Sequence, residues 1–315
     1  MKKILFSIFI FFPVVVFFSC KKDNAAKTIT PAPKTVDSIT LKVQRVTTPV
    51  ASKNPGNYTV WFSMVGNRIY YANPSNTANA QFMLEYNIAS NTFADKAINT
   101  EVCACGYTSK LIADGTNMFY IANSAVKYTA ASNAWSVLSY PATAKDNNGQ
   151  TGVVYYNGKI YFLGGSTASV KFKYYDIAAN SWFNLADGLF ATSSSELVAV
   201  NDKIYALAGE SSFTKFSSYT HSAGWTALSN LPFQLHVNYY FHYTASFGNR
   251  YIFALAGKDI YIYDATTDKW AINPIHTGIN DTNLNLFSDN INLYIAAKTA
   301  SNDFALYKID VNNLP

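Results

Sequence analysis

Residues 236 to 244 read "HVNYYFHYT", which sets His236, Asn238, Tyr240 and His242 at alternate positions. In an extended chain alternate residues share one face, so two imidazoles, an amide and a phenol would line a single edge. Such a row can donate and accept hydrogen bonds toward a polar ligand such as a sugar. A second group gathers in "EVCACGY", with Glu101 and Tyr107, and two further cations stand at Lys127 and at Lys258 in the short stretch "GKD". These eight residues are the ligand-binding candidates. An aromatic-rich inner strand whose alternate residues simply pack would carry the same letters.

Reaction chemistry asks for more. Metal sites need clustered ligands of suitable geometry, but six positions separate His236 from His242, and His221 and His276 lie elsewhere in the chain. Cys103 and Cys105 form an isolated pair. Two free thiols fit it, and so does a local disulfide, although so small a loop would constrain little of the unfolded chain. No G-x-S-x-G occurs, and "SSSE" at Ser193 to Glu196 reads as a polar connection. "FLGGSTAS" from Phe162 follows a strand but opens no helix, so it lacks the positive helix end that holds phosphate. The sequence therefore defines no catalytic residue, no metal site and no cofactor.

The elements that would position the candidates come from a repeat. "YNIASNTF" from Tyr86, "YTAASNAW" from Tyr128, "YDIAANSW" from Tyr175, "YTHSAGW" from Tyr219, "YDATTDKW" from Tyr263 and "YKIDVNNL" from Tyr307 follow one another at 42, 47, 44, 44 and 44 residues. Upstream of each lies a hairpin, for example "VVYYNGKIYF" from Val153, "LVAVNDKIYA" from Leu197 and "ASFGNRYIFA" from Ala245. Each hairpin puts Gly, Asn or Asp between two apolar runs, as tight primed turns require. A unit is thus a four-stranded meander, strands a to d, that cannot bury its faces alone. Units stacked radially bury one another.

An apolar run ending in Gly164-Gly165, then Tyr175-Asp176, then Trp182, at this spacing, resembles the kelch repeat. The resemblance covers roughly residues 58 to 315. It implies an all-β fold: a six-bladed β-propeller of four-stranded antiparallel blades, with the repeated Tyr and Trp as core plates between sheets. The sixth copy stops one strand short at Pro315, while "ITLKVQRVT", residues 39 to 47, alternates like a strand and belongs to no unit. This N-terminal strand is expected to complete the last blade and remove an exposed edge.

Turns a–b and c–d of a meander share one face, and loops b–c and d–a share the other. All six a–b turns are short, so the length variation falls on the second face, and variable loops on a rigid scaffold are where binding is expected. Loop b–c is long in blade one ("NPSNTANAQ") but short in blades two ("NSA") and five ("GKD"). Those blades are opposite in a ring of six, which predicts a trough across the axis.

The ends supply an address. "MKKILFSIFIFFPVVVFFSC" has a basic start, an apolar core and a small residue before Cys20. Residues 1–19 read as a signal peptide, and Cys20 resembles the acylated cysteine of a bacterial lipobox, although Phe17 stands where Leu is usual. The resemblance implies an outer-membrane lipoprotein of a Gram-negative envelope. An ordinary signal peptide with an incidental Cys is the alternative. Residues 20–38, polar with two prolines, read as a lipidated flexible tether, and residues 39–315 as the propeller.

Aromatics at 16% and charge at 14% favour a large packed core over disorder. Lys2 and Lys3 leave with the signal, lowering the formal charge from +5 to +3, too little and too scattered for a nucleic-acid partner. A membrane-anchored, non-catalytic scaffold for a protein or glycan ligand is the expected function. The alternative is a carbohydrate-active enzyme with an axial site using His242, Tyr240 and Glu101. It is similar to the sialic acid mutarotases on kelch propellers, which hold a carboxylate with arginines at the starts of inner strands. Here the arginines are Arg45, Arg68 and Arg250, the latter two at a–b turns, which counts against an anionic sugar.

Overall fold

Six tight turns set the architecture. Asn157-Gly158 (φ +48° and +75°), Asn201-Asp202 (+50° and +57°) and Gly248-Asn249 (+59° and +49°) put consecutive residues in the left-handed region. Only such turns match the twist of the strands they join. The computed structural model describes residues 39–51, 53, 60–73, 81–99, 110–121, 125–138, 152–164, 169–192, 195–208, 213–237 and 241–315, all within one compact unit.

Strand β1 is Lys42–Val46. Blade one runs β2 (Trp61–Val65), β3 (Arg68–Asn73), β4 (Phe82–Asn87) and β5 (Thr92–Lys96). Blade two runs β6 (Leu111–Ala113), β7 (Asn117–Ile121), β8 (Ala125–Thr129) and β9 (Ala134–Val137). Blade three runs β10 (Gly152–Tyr156), β11 (Lys159–Leu163), β12 (Phe172–Asp176) and β13 (Ser181–Asn184), and blade four runs β14 (Glu196–Val200), β15 (Lys203–Leu207), β16 (Phe216–Thr220) and β17 (Gly224–Ala227). Blade five has β18 (Thr244–Phe247), β19 (Tyr251–Ala256) and β20 (Asp259–Asp264), with an outer strand broken into β21 (Lys269–Trp270) and β22 (Ile275–His276). Blade six has β23 (Thr282–Ser288), β24 (Leu293–Lys298) and β25 (Phe304–Asp310). All ladders are antiparallel, and the inner strands touch in chain order, with β23 returning to β2.

The first strand closes the last blade, as the sequence pattern requires. β1 pairs antiparallel with β25 in the register Lys42↔Asp310 to Val46↔Leu306. Leu41 is buried, Ile39 and Val43 pack into the core between blades five and six, and Val46 packs into the core between blades six and one.

Six apolar clusters fill the six junctions between blades. The repeated tyrosines are their centre: Tyr86, Tyr128 and Tyr175 have no exposed surface. The repeated tyrosines pack, tilted, against the aromatic ring of their own outer strand, Tyr128–Trp135 at 5.1 Å, Tyr175–Trp182 at 5.4 Å and Tyr263–Trp270 at 5.2 Å. A Phe at the start of the preceding blade's third strand wedges against that pair. Phe172 meets Tyr219 and Trp225 at 4.8 Å, Phe216 meets Tyr263 at 5.0 Å, and Phe304 of blade six meets Tyr86 of blade one at 5.2 Å. The tryptophans are half-buried lids over this layer.

A buried phenol must keep a hydrogen-bond partner, and the c–d turn supplies one. Tyr86 donates to Asn91 Oδ1 at 2.8 Å and Tyr128 to Asn133 Oδ1 at 2.9 Å, and Tyr175 and Tyr263 donate likewise to Asn180 and Asp268. All four acceptors have positive φ, between 50° and 56°. Asn and Asp tolerate that conformation, so one residue both turns the chain and caps the phenol. Blade four puts Gly224 (φ +73°) at this corner, with no side chain to offer.

The Gly-Gly position has a measurable basis at Gly164. Its φ is +93°, and a Cβ there would sit 2.3 Å from the Thr192 carbonyl oxygen. Glycine is required on both counts.

Candidate functional site

The six inner strands, β2, β6, β10, β14, β18 and β23, jointly line a cavity of about 230 Å³ on the ring axis. Strand alternation sends the bulkiest side chains of these strands into the junctions, leaving the axis to backbone edges and to residues near the strand ends. Its chemistry is therefore set by a few positions.

Lys110, immediately before β6, forms an ion pair with Glu196, the first residue of β14, and the two have only 3% and 2% of their surface exposed. Thr244, which opens β18, donates to the second carboxylate oxygen of Glu196 at 3.1 Å. Burial holds the Glu196 carboxyl above the ordinary carboxylate range, against the opposing pull of Lys110 and Thr244. Blades two, four and five are thus tied together at the end where inner strands begin.

His242 sits beside this pair. Its backbone N–H donates to Asn285 Oδ1 at 2.8 Å, and its carbonyl accepts from the Leu286 N–H at 2.8 Å, so β23 holds it in place. Its Nε2 reaches across the axis to the Leu111 carbonyl oxygen at 3.1 Å. A carbonyl only accepts, so the ring N–H is the donor in this contact, and the Phe62 backbone makes a second contact with the ring. Burial and the neighbouring Lys110 charge push the imidazole down to about 3. His242 is neutral at any physiological pH.

At the opposite end the axis is lined differently. A second cavity of about 500 Å³ lies among the a–b turns, lined by Tyr155, Tyr156, Asn157, Ser246, Asn249 and Asn290, with Ala199, Val200 and Gly248 between them. Tyr155, Ala199, Ser246 and Asn290 line both cavities, which therefore adjoin. Among the described residues, no charged side chain lines the second.

Of the residues singled out in the sequence, His242 alone among the described ones reaches the axis. Lys127 belongs to β8, two strands out from it. His236 is exposed and packs on Phe213 at 4.4 Å, and Lys258 is exposed at the β19–β20 turn, donating to Asn280 at 2.8 Å. Glu101, Tyr107, Asn238, Tyr240, Cys20, Cys103 and Cys105 lie outside the described residues, as does loop b–c of blade two. Arg68 and Arg250 pair with acids of their own blades, Glu85 at 3.7 Å and Asp264 at 2.7 Å.

Two sequence expectations are corrected. "SSSE" does not end as a plain connection: its Glu196 opens an inner strand and carries the buried carboxylate. "HVNYYFHYT" does not form one long inner strand, because β18 starts only at Thr244. The missed signal was a charged residue directly before an apolar inner-strand run, positive at Lys110 and negative at Glu196. Facing across a narrow ring, such residues must pair.

These features define a six-bladed β-propeller with a polar axial cavity. No protein-family model matches the chain, and no curated protein does. Among solved structures, one titled "Structure of YjhT" superposes with a TM-score of 0.61 at 12% identity, covering 85% of this chain and 98% of that one. At that identity the likeness establishes the fold alone. Among the described residues no three His, Cys, Asp or Glu side chains gather as a metal site, and no helix is long and apolar enough to cross a membrane.

Proposed function

We propose that the chain is a kelch-like, lipid-anchored propeller of a Gram-negative outer membrane, acting as a non-catalytic scaffold that binds a protein or glycan. Cys20 is its anchor and residues 20–38 its tether, and the variable-loop face with the axis behind it is its ligand surface. Nucleic acid is not a partner.

The observation that carries this reading is the satisfied state of the axial groups. Both Glu196 oxygens are engaged, by Lys110 and Thr244, and burial with the Lys110 charge pushes His242 down to about 3. A proton shuttle works best with a pKa near the working pH, and His242 is far from it. Glycan-array binding combined with turnover assays on envelope sugars tests the proposal. Binding without turnover supports the scaffold, and turnover of a bound sugar overturns it. Metabolic acyl labelling that disappears in Cys20→Ala supports the anchor.

One observation favours a second reading. A carboxyl pushed up and an imidazole pushed down beside one cavity is how active sites divide acid and base roles. An isomerase or mutarotase-like enzyme would use His242 with Tyr240 and Glu101. The same turnover assay decides between them.

A further inference from the structure

We propose a second, separate ligand site: the vestibule among the a–b turns, with a neutral saccharide as its ligand class. It builds on the binding scaffold above but lies at the other end of the axis from the variable loops.

Four features point to an uncharged polyhydroxylated ligand. The lining residues Asn157, Asn249, Asn290 and Ser246 bring amides and a hydroxyl but no charge, so they match hydroxyl groups and offer no counter-charge to a carboxylate, while the carboxylate nearest the lining, Asp202, is engaged by the Tyr156 hydroxyl at 3.3 Å. Tyr155 and Tyr156 of blade three both contribute to the lining, although as consecutive strand residues they pack toward different blade junctions, and aromatic rings pack well against the C–H faces of sugars. Asn249 is held in place, because its Oδ1 accepts the Asn201 N–H at 2.8 Å, which leaves its two amide hydrogens to donate. At about 500 Å³ the vestibule fits the size range of small-molecule sites. It adjoins the axial cavity of about 230 Å³, whose lining includes Glu196 of the Lys110–Glu196 pair.

The turn chemistry explains why this site is unexpected from sequence. Asn157, Asn249 and Asn290 have φ of +48°, +49° and +64°, which marks them as turn formers. The same left-handed conformation, repeated on neighbouring blades, sets their side chains around one mouth. It also supplies a clean experiment. Asn290→Gly removes the amide while keeping a residue that accepts positive φ, so the turn survives.

Saturation-transfer NMR on the full chain, with the methyl β-glycosides of glucose, galactose and N-acetylglucosamine as probes and N-acetylneuraminic acid as the anionic comparison, reads the site. At least one neutral glycoside is expected to bind, and Asn290→Gly to weaken it about three- to tenfold, as loss of one neutral hydrogen bond implies. Tyr155→Leu, checked by its melting curve, should weaken the same probe, and Val137→Ala, exposed on the outer strand β9, should not. Three results overturn the proposal: no neutral glycoside binds, only the anionic sugar binds, or binding is indifferent to both Asn290→Gly and Tyr155→Leu. Turnover of a bound probe would instead remove the non-catalytic reading while leaving the site in place.

Discussion

The junctions between blades and the axis they surround are built from the same strands under opposite rules. At the junctions the positions recur: Tyr128, Tyr175 and Tyr263 pack against Trp135, Trp182 and Trp270 at nearly one distance. At the end of the axis where the inner strands begin, the described residues differ from blade to blade. Lys110, just before its strand, and Glu196 and Thr244, first in theirs, belong to three different blades, and the imidazole of His242 is answered by a carbonyl from the opposite blade. Repetition holds the ring together, and departures from repetition make its centre chemically particular.

The largest break in that comparison is removal of closure. Deleting residues 37–48 removes β1 from the edge of β25, and with it Ile39, Leu41, Val43 and Val46, and so uncovers the core they pack against. At about 1.5–3 kcal/mol for each fully buried side chain, the loss is on the order of 5–10 kcal/mol. The melting temperature should fall by more than about 10 °C, and an unchanged melting curve would rule out the closure.

Next comes the axial ion pair. Lys110→Met leaves the Glu196 carboxylate buried without its partner and should destabilise by about 3–5 kcal/mol. Lys110→Met with Glu196→Met should recover most of that in urea unfolding. Additive losses would show that the two residues do not act as a pair.

His242 sharpens the comparison through pH. Its folded value of about 3 lies below the ordinary 6.5, so between those limits the unfolded chain binds the extra proton and stability falls as pH falls. The slope approaches about 1.4 kcal/mol per pH unit at most. Glu196, pushed upward by burial, works in the opposite direction and offsets part of it. His242→Gln keeps a donor toward Leu111 and removes the titration, so its stability between pH 6.5 and 4 should decline less than wild type. Parallel profiles would contradict the neutral, buried imidazole.

The smallest effect belongs to one repeated bond. Tyr128→Phe removes the phenol that Asn133 accepts at 2.9 Å and should lower stability by about 1 kcal/mol.

What was legible in the sequence follows the same division. The Tyr-to-Tyr spacing, the Asn-Gly and Asn-Asp turns and the orphan strand at residues 39–47 gave the blades, their number and their closure, because each is a local pattern with a local cause. The axis was nearly illegible. Lys110 and Glu196 stand 86 positions apart in sequence, and only the ring brings them together. His242 was singled out for its alternation with His236, yet it reaches the axis because β23 clamps its backbone, while His236 stays on the surface. The Asn-rich vestibule was hidden for a different reason. Its residues already had a sufficient explanation as turn formers.

Glycoside binding and thermal melting, recorded together on Tyr128→Phe and Asn290→Gly, test the division most directly. The account predicts that the first variant melts earlier by about 2–4 °C and binds as wild type, while the second melts as wild type and binds weakly. Stability and binding moving together in both variants would contradict it.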